Sequence, residues 1–272
     1  MTFTDAEFAR AFRRAMALLE AAPFDLTVRI ESGSEGKIRA SSIGDCSRRQ
    51  LFMLRGEGET DMADPASAWA PWMGHLGEAI VGQVLDRMGY ERTKPDLPEH
   101  TSVSGHVDGV LTGLDLGTER VVWDSKVRGP YRAKMLIQLG LPAADPVMAA
   151  QLQWYAKATE TERAMITLHP HDLSAWKLEL KRSHLEVAEP VVQRLWIKAD
   201  TGVQARLEER AEAITAASAL GLMVNREFNP GLDRWPCEYC PFRMACIGVD
   251  LDYSTHPGDL VQVPPMPKGY GV

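Results

Sequence analysis

The spacing of apolar residues predicts an amphipathic helix at the start of the chain. Across residues 3–21 the apolar positions recur every three to four residues, which is the period of one helix face. The residues on that face are Phe8, Phe12, Ala15 and Leu19. Residues 26–30 then alternate as a short strand does, and the Ser- and Gly-rich stretch 32–36 indicates a turn.

Two further helices and an intervening loop are predicted in the next part of the chain. Ser41 or Ser42 is suited to cap a helix that passes through Cys46 and ends near residue 54. Residues 56–71 are polar and contain proline, so we interpret them as a loop. Residues 73–88 have the helical period again. Their apolar face consists of Leu76, Ile80, Val84 and Leu85.

The middle of the chain alternates between strand and helix patterns. Strands are predicted at residues 103–111, 120–127, 163–169 and 175–180. An irregular connection with some helical character at 129–146 and a helix at 147–159 separate the first two strands from the last two. This order favours an α/β fold with a mixed central sheet flanked by helices.

The C-terminal third is predicted to contain one long helix and a loop-rich region. Residues 185–220 are strongly helical in pattern, with Pro190 near the start or at a kink. The region from Gly221 onward is rich in loops and contains three of the four cysteines. Residues 261–272 are rich in proline and glycine, so we interpret them as a tail.

Composition places the chain among ordinary globular proteins. Of its 272 residues, 45% are hydrophobic and 25% are charged. Its apolar runs fall short of the ~20 residues that a membrane helix needs. The N-terminal residues also lack the basic-then-apolar pattern of a signal peptide. The sequence therefore predicts a cytoplasmic protein that makes no contact with a membrane.

The net charge is −7, which argues against nucleic-acid binding over the whole surface. A nuclease remains compatible with this charge, because metal-binding carboxylates are acidic and a local basic groove suffices for DNA. The candidates for such a groove are Arg48, Arg49, Lys126, Arg128, Arg132 and Lys134. Each of them, taken alone, is more often a solvated surface residue.

A pair of acidic motifs marks the two central predicted strands. The first is Gly105-His106-Val107-Asp108, and the second is Asp124-Ser125-Lys126. Asp124 and Lys126 point to the same side of a strand, and a hairpin would bring Asp108 beside them. Two carboxylates and an ammonium on one face suit a hard cation such as Mg²⁺. The alternative is an exposed strand with a surface ion pair.

Two helical motifs accompany the acidic pair. Gln151 and Tyr155 are four residues apart, so they share a helix face and both offer hydrogen bonds to a phosphate. His75 and Glu78 are three residues apart on the predicted helix at 73–88, and either is a candidate metal ligand. Ordinary amphipathic helices with solvated polar residues are the alternative for both motifs.

These motifs together resemble the PD-(D/E)XK nuclease superfamily, and its RecB-like branch most closely. That branch has a His or Glu on a helix, then G-x-x-D, D/E-x-K and Q-x-x-x-Y, in the order found here. The resemblance implies a restriction-endonuclease-like core. It also implies the catalytic residues Glu78, Asp108, Asp124, Lys126, Gln151 and Tyr155, with Mg²⁺ or Mn²⁺ bound by Glu78, Asp108, Asp124 and Ser125.

Two features depart from the pattern of the RecB-like branch. Asp124 stands where this branch often has Glu, so a shorter side chain must reach the metal. In the family the metal-facing residue follows a glycine by four positions. Counting from Gly74, this selects Glu78 over His75, as in the lambda-exonuclease type of site.

The four cysteines, Cys46, Cys237, Cys240 and Cys246, predict a metal centre, because disulfides are rare in cytoplasmic proteins. Four thiolates suit a [4Fe-4S] cluster or Zn²⁺. The one-plus-three spacing resembles AddB and the CRISPR-adaptation exonucleases. The resemblance implies a [4Fe-4S] cluster that joins the N- and C-terminal regions. Zinc modules more often use two close pairs of ligands, so the cluster is favoured over zinc.

The resemblance implies one nuclease domain over residues 1–272. Its catalytic core lies at about 73–182, and its cluster-binding regions lie at about 41–56 and 221–250. The implied activity is exonucleolytic hydrolysis of single-stranded or end-containing DNA. The implied settings are recombination, repair, phage DNA metabolism or CRISPR adaptation, with recombination, helicase or CRISPR-adaptation proteins as partners. Two alternatives are a non-catalytic iron–sulfur DNA-binding or assembly subunit and a zinc-stabilised scaffold.

Overall fold

A computed structural model describes most of the chain. The described residues are 3–20, 36–57, 69–187, 191–225, 227, 237, 240–247 and 260–266, without the side chains of 19, 20 and 69–71. The predicted strand at 26–30, the turn at 32–35, most of the loop at 56–71 and Pro190 lie outside these residues.

Helices and strands alternate along the described part of the chain. The helices are α1 Asp5–Glu20, α2 Ser47–Leu54, α3 Trp69–Met88, α4 Pro130–Leu139, α5 Leu141–Ala144, α6 Pro146–Ala158, α7 Leu173–Arg182 and α8 Thr201–Ala219. The strands are β1 Ile38–Arg39, β2 Glu91–Thr93, β3 Val103–Ser104, β4 Gly109–Gly113, β5 Gly117–Arg128, β6 Arg163–Pro170 and β7 Gln193–Lys198. The predicted helices at 3–21, 73–88 and 147–159 and the predicted strands at 120–127 and 163–169 are confirmed.

A mixed five-stranded sheet forms the centre of the molecule. Its strand order is β2-β4-β5-β6-β7, in which β5 runs parallel to β6 and the other neighbouring pairs are antiparallel. A parallel pair of strands needs a long crossover connection, and the helices α4, α5 and α6 supply it. The predicted α/β fold with a mixed sheet flanked by helices is therefore confirmed.

Each face of the sheet packs against its own set of helices. One face contributes Trp123 to a cluster with Phe8 and Phe12 of α1 and Leu85 of α3. The other face contributes Val122 to a larger cluster that includes residues of α6 and α8. Successive residues of β5 alternate between these two clusters, as strand geometry requires. Residues of β5 are thus buried on both faces along its centre.

Residues 175–180, predicted as a strand, lie within the helix α7. Asp172 caps this helix by accepting a hydrogen bond from the backbone nitrogen of Ala175 at 2.9 Å. Its apolar residues alternate as in a strand, but Trp176 is fully buried whereas Leu178 is exposed. The prediction was wrong because α7 buries one face around a tryptophan and leaves other apolar residues near the surface.

Residues 185–220, predicted as one helix, contain the strand β7 followed by α8. β7 pairs antiparallel with β6 and completes that edge of the sheet. Asp200 begins α8, because its side chain accepts hydrogen bonds from the backbone nitrogens of Gly202 and Val203 at 2.9 and 3.1 Å. Pairing with β6 overrides the local helical pattern of residues 193–198, so the prediction was wrong there.

Three smaller predictions also need correction. The strand predicted at 103–111 is divided into β3 and β4, and residues 105–108 between them belong to neither strand. Cys46, rather than Ser41 or Ser42, is the N-cap residue of α2. Residues 260–266 are more than a tail, because Val261 bridges to Val224 and Val263 is buried against the core. Among the described residues, no helix is both long and apolar enough to cross a membrane.

Candidate active site

Asp108 lies immediately before β4, opposite the centre of β5. The register of these strands pairs Gly109 with Trp123. The Asp108 Oδ2 atom accepts a hydrogen bond from the backbone nitrogen of Ser125 at 2.7 Å. The hairpin therefore brings Asp108 beside Asp124, as the sequence predicted.

Asp124 and Lys126 lie on the same face of β5, because they are two residues apart. The Lys126 Nζ atom lies 2.6 Å from the Asp124 Oδ2 atom, and the Asp124 side chain is only 2% exposed. This contact is an ion pair between a buried carboxylate and an ammonium group. Burial of a carboxylate is costly, and a bound cation would add to the compensation that the ammonium provides.

The electrostatics around Asp108 also favour a cation. Burial raises the pKa of Asp108 well above its ordinary value, and the nearby charge of Asp124 raises it further. The charge of Glu78 acts in the same direction, while Lys126 and the backbone N–H of Ser125 lower the pKa. The three carboxylates therefore carry more charge than the two nearby lysines, Lys126 and Lys94, neutralise. A divalent ion is the chemical species that would stabilise such a group as carboxylates.

Glu78 reaches the group because α3 lies very close to β5. A Cβ atom added at Gly77 would stand 2.4 Å from Val127 Cγ2, so only glycine permits this approach. Glu78 forms an ion pair with Lys94, which follows β2. The spacing of four positions to Glu78 starts at Gly74, but a Cβ atom at Gly74 would meet nothing within 4 Å. Gly77 and Lys94 were missed; the single signal available for Gly77 was a glycine inside a helical pattern.

Gln151 and Tyr155 lie together on α6 beside the acidic group. The Gln151 Nε2 atom donates a hydrogen bond to the Tyr155 hydroxyl oxygen at 3.2 Å. Burial raises the pKa of Tyr155, and the charges of Asp124 and Asp108 raise it further. Those charge effects place the hydroxyl near both carboxylates. The Q-x-x-x-Y residues therefore lie near the acidic residues, as the sequence predicted.

Gly105 makes room for Tyr155. A Cβ atom at Gly105 would stand 2.7 Å from Ala40 Cβ and 3.2 Å from Tyr155 Cε1. The backbone hydrogen bond between His106 and the Tyr155 hydroxyl lowers the tyrosine pKa and fixes the ring against this turn. The glycine of the G-x-x-D motif thus has a packing reason, which the sequence analysis did not identify.

Ser125 differs from its neighbours in the direction of its side chain. It alternates with Asp124 and Lys126 along β5, and its side chain is buried with Trp123 on the opposite face. Trp123 donates a hydrogen bond from Nε1 to the Thr167 hydroxyl at 2.8 Å on that face. The Ser125 side chain therefore faces away from the acidic group. A role in metal binding would fall to its backbone carbonyl.

A second acidic cluster is present elsewhere on the molecule. Among the described residues, His100, Glu208 and Glu212 have ligand atoms that all lie within 4.8 Å of one another. The His100 Nδ1 atom already accepts hydrogen bonds from the backbone nitrogens of Ser102 and Val103 at 3.1 and 3.2 Å. The ring proton therefore resides on Nε2, which points at Glu208 at 3.3 Å. This arrangement suits an internal hydrogen-bond network better than a metal site.

The cysteines come from both ends of the described chain and approach one another. Burial raises the pKa of Cys240, and the charge of Cys46 contributes to the increase, which indicates that the two thiols are close. Arg48 donates a hydrogen bond to Cys246 Sγ at 3.4 Å. Cys237 is buried, and its backbone carbonyl accepts a hydrogen bond from the Cys240 nitrogen at 3.2 Å. No three of these sulfurs form a group within 4.8 Å among the described residues.

A comparison with protein families identifies the class of this protein. The model of the PD-(D/E)XK nuclease superfamily matches residues 44–247 of the 272 residues. That range contains every residue of the acidic group, both helical motifs and all four cysteines. The chain therefore belongs to the PD-(D/E)XK nuclease superfamily.

Three solved structures resemble the fold at low sequence identity. An alkaline exonuclease (LHK-Exo) from Laribacter hongkongensis is 15% identical with a TM-score of 0.49, covering 69% of this chain and 90% of that chain. SSO0001 is 13% identical with a TM-score of 0.46, and the match covers 88% of this chain and 95% of SSO0001. A phage-related exonuclease from Haemophilus somnus 129PT is 15% identical with a TM-score of 0.45, and the match covers 68% of this chain and 94% of the exonuclease. No curated protein matches the chain.

Proposed function

We propose that this protein is a Mg²⁺- or Mn²⁺-dependent exonuclease that hydrolyses phosphodiester bonds at DNA ends. The observation that supports this most is the buried pair Asp108 and Asp124 with Lys126 2.6 Å from the second carboxylate. Membership of the PD-(D/E)XK nuclease superfamily supports the nuclease chemistry. The settings we propose are recombination, repair, phage DNA metabolism or CRISPR adaptation.

The carboxylates provide the oxygen ligands that hard cations prefer. Asp108, Asp124 and Glu78, with the backbone carbonyl of Ser125, would hold the ion. When bound, such an ion polarises the scissile phosphate and lowers the pKa of a bound water. Lys126 would orient the attacking water and offset the charge that develops on the phosphate in the transition state.

Tyr155 would serve as a hydrogen-bond donor to the substrate. Its raised pKa keeps the hydroxyl protonated, and Gln151 already donates to the hydroxyl oxygen. The tyrosine proton is then directed away from Gln151 and is available to a phosphate oxygen. Gln151 would thus orient Tyr155.

The experiment that tests this function compares linear and covalently closed circular DNA. End-labelled single- and double-stranded fragments and circular forms of the same sequence are incubated with Mg²⁺, Mn²⁺ or EDTA. We expect shortening of linear DNA with either metal, no cleavage in EDTA and intact circles. Cleavage of circles would indicate an endonuclease. Intact linear DNA under all conditions would favour a non-catalytic DNA-binding subunit.

We also propose that Cys46, Cys237, Cys240 and Cys246 bind a [4Fe-4S] cluster. The convergence of the N-terminal Cys46 with Cys240 supports a shared centre. Thiolates bound to one zinc at ~2.3 Å would lie roughly 3.8 Å apart. The iron, sulfide and zinc content of anaerobically purified protein distinguishes the cluster from a zinc site.

A further inference from the structure

The surface that follows the catalytic strand is positively charged. Residues 126–134 contain four cations and no acid, although the whole chain has a net charge of −7. Three of these cations, together with Tyr131, belong to the end of β5 and the first turns of α4. We call Arg128, Tyr131, Arg132 and Lys134 the α4 surface. Lys134 also pairs with Glu179 of α7, so part of the charge is offset.

Tyr131 is unusually exposed for an aromatic residue. The residue is 63% exposed at the first turn of α4. The Lys134 Nζ atom lies 5.0 Å from the centre of its ring, a cation–π contact that restricts the ring. The rest of the ring meets solvent. An exposed aromatic ring among cations is the arrangement with which proteins bind single-stranded nucleic acid.

The α4 surface adjoins the candidate active site. Tyr131 follows Lys126 by five positions, a separation of at most ~17 Å even in an extended chain. That distance corresponds to roughly five stacked nucleotides of one DNA strand. His171 lies against the turn between β5 and α4, because a Cβ atom at Gly129 would stand 3.3 Å from its Nε2 atom. A strand whose phosphate lies at Asp108 and Asp124 is therefore within reach of the α4 surface.

We infer that the α4 surface binds the DNA strand beside the scissile phosphate, with the Tyr131 ring stacked on an unpaired base. This inference rests on the proposed nuclease function and adds where the substrate strand lies. Arg132 and Arg128 attract the phosphates, and the stacked base holds the strand in place. The bases at this point of the substrate are consequently unpaired, either because the DNA is single-stranded or because its end is opened.

The first test measures binding of the full chain to a fluorescent single-stranded oligonucleotide in EDTA, which prevents cleavage. Loss of one stacked base contact weakens binding roughly 5- to 100-fold, so Tyr131→Ala should raise the Kd within that range. Tyr131→Phe retains the ring and should bind like the wild type. The control is Leu220→Ala, because Leu220 is 71% exposed at the end of α8.

An abasic scan separates stacking from a general structural effect. A single abasic position is moved along the oligonucleotide, and the Kd is measured for wild type and Tyr131→Ala. One abasic position should weaken binding by the wild type but leave binding by Tyr131→Ala unchanged. Arg132→Ala should reduce the slope of log Kd against log salt by about one, whereas Arg206→Ala on α8 should leave it unchanged.

Two results would overturn this inference. One is wild-type affinity in Tyr131→Ala, and the other is an abasic scan in which both proteins lose the same affinity at every position. Failure of the nuclease function is distinguishable, because the wild type would then leave linear DNA intact in Mg²⁺ and Mn²⁺ whatever Tyr131 does. If the wild type cleaves DNA and Tyr131→Ala binds and cleaves equally well, only the α4 surface assignment is wrong.

Discussion

At the residue scale, the most informative group of the site is the carboxyl group of Asp108, whose ionised form is unfavourable in the metal-free protein. Burial and the charges of Asp124 and Glu78 raise the pKa of Asp108. A group kept in so costly a position is expected where function requires it. The relative positions of Asp108, Asp124 and Lys126 could be predicted from the sequence, because strand alternation and a short hairpin determine them. The orientation of the Ser125 side chain follows from the same alternation.

The first prediction concerns Asp108→Asn. We expect DNA cleavage in Mg²⁺ to fall by roughly a hundredfold or more, because a charged metal ligand is lost. In EDTA at neutral pH the melting temperature should be no lower than that of the wild type, because a buried carboxylate is replaced by a neutral group. Steady-state cleavage of a labelled oligonucleotide and a thermal melt measure the two effects. Cleavage at the wild-type rate by this variant would show that Asp108 is not an active-site residue.

The second prediction compares Glu78→Gln with His75→Gln. Glu78 contributes to the pKa of Asp108, so its charge lies within reach of the proposed metal. We expect Glu78→Gln to lose most of the cleavage activity and His75→Gln to retain most of it. Titration of each variant with Mn²⁺, followed by electron paramagnetic resonance, gives an independent readout of metal affinity. The opposite ranking would show that His75 is the metal-facing residue.

The third prediction concerns pH and His169, which lies at the end of β6. Burial lowers its pKa to about 3, and its ring packs against Phe12 with 5.6 Å between ring centres. The unfolded chain has the ordinary histidine pKa of ~6.5, so it takes up a proton below that pH while the folded protein does not. Folding stability from this residue is therefore lost as pH falls from about 6.5 toward 3.

Urea unfolding at pH 7.5 and pH 5 measures this loss. The His169 contribution should be about 2 kcal/mol between the two pH values, and it should vanish in His169→Gln. His184→Gln is the control, because that side chain is exposed. An unchanged pH dependence in His169→Gln would show that the native protein already carries the proton on this ring.

At the element scale, the elements that carry the site were the easiest to predict. The strand β5 and the helix α6 have strong local patterns, and both were found within about two residues at all but one end. The element β7 was missed because its pairing partner, β6, lies roughly 30 residues earlier and overrides local propensity. The close approach of α3 to β5 was also missed. A glycine in a helical pattern does not reveal what it faces.

The fourth prediction tests that approach with two alanine substitutions on the same helix. Gly77→Ala places a Cβ atom 2.4 Å from Val127 Cγ2, so α3 must move and Glu78 must move with it. We expect a large loss of cleavage. Gly74→Ala meets nothing within 4 Å and should retain activity, with up to about 1 kcal/mol of added helix stability. The measurements are kcat/KM and a thermal melt of each variant.

A compensating substitution makes this test specific. The double variant Gly77→Ala with Val127→Ala removes the Cγ2 atom that the new methyl group would meet. We expect it to recover much of the activity lost in Gly77→Ala. If Gly77→Ala cleaves as well as Gly74→Ala, close packing of α3 against β5 does not position Glu78.

At the scale of the whole molecule, the second helix, α2, is bound to segments near the C-terminus. The buried Arg48 donates two hydrogen bonds to the carbonyl of Val224, at 3.2 and 3.1 Å, and a third to Cys246. Ser47 donates from its backbone nitrogen to Glu227 at 2.9 Å. These contacts could not be predicted from local patterns, because they join residues roughly 180 positions apart. Only the resemblance of the cysteine pattern to iron–sulfur nucleases implied that the two regions meet.

The fifth prediction follows from that long-range connection. A cluster bound by Cys46 and Cys237 would close a loop of roughly 190 residues around the sheet. In the chain-entropy model, such a cross-link stabilises the native state by an amount on the order of 5 kcal/mol. Metal binding would then contribute to folding free energy, whereas the carboxylates of the proposed nuclease site come from α3, the residue before β4, and β5. We therefore expect Cys46→Ala to lose iron and melt at a lower temperature.

Asp108→Asn is the matched comparison for Cys46→Ala, because it should keep iron and stability but lose cleavage. Iron, zinc and sulfide analysis, the visible absorbance and thermal melts of both variants measure the difference. Zinc instead of iron in anaerobically purified wild type would reject the cluster but retain the connection between the two ends. Full metal content and an unchanged melting temperature in Cys46→Ala would show that Cys46 is not a ligand of the metal centre. The contacts of Arg48 and Ser47 would then be sufficient to hold α2 against the C-terminal segments.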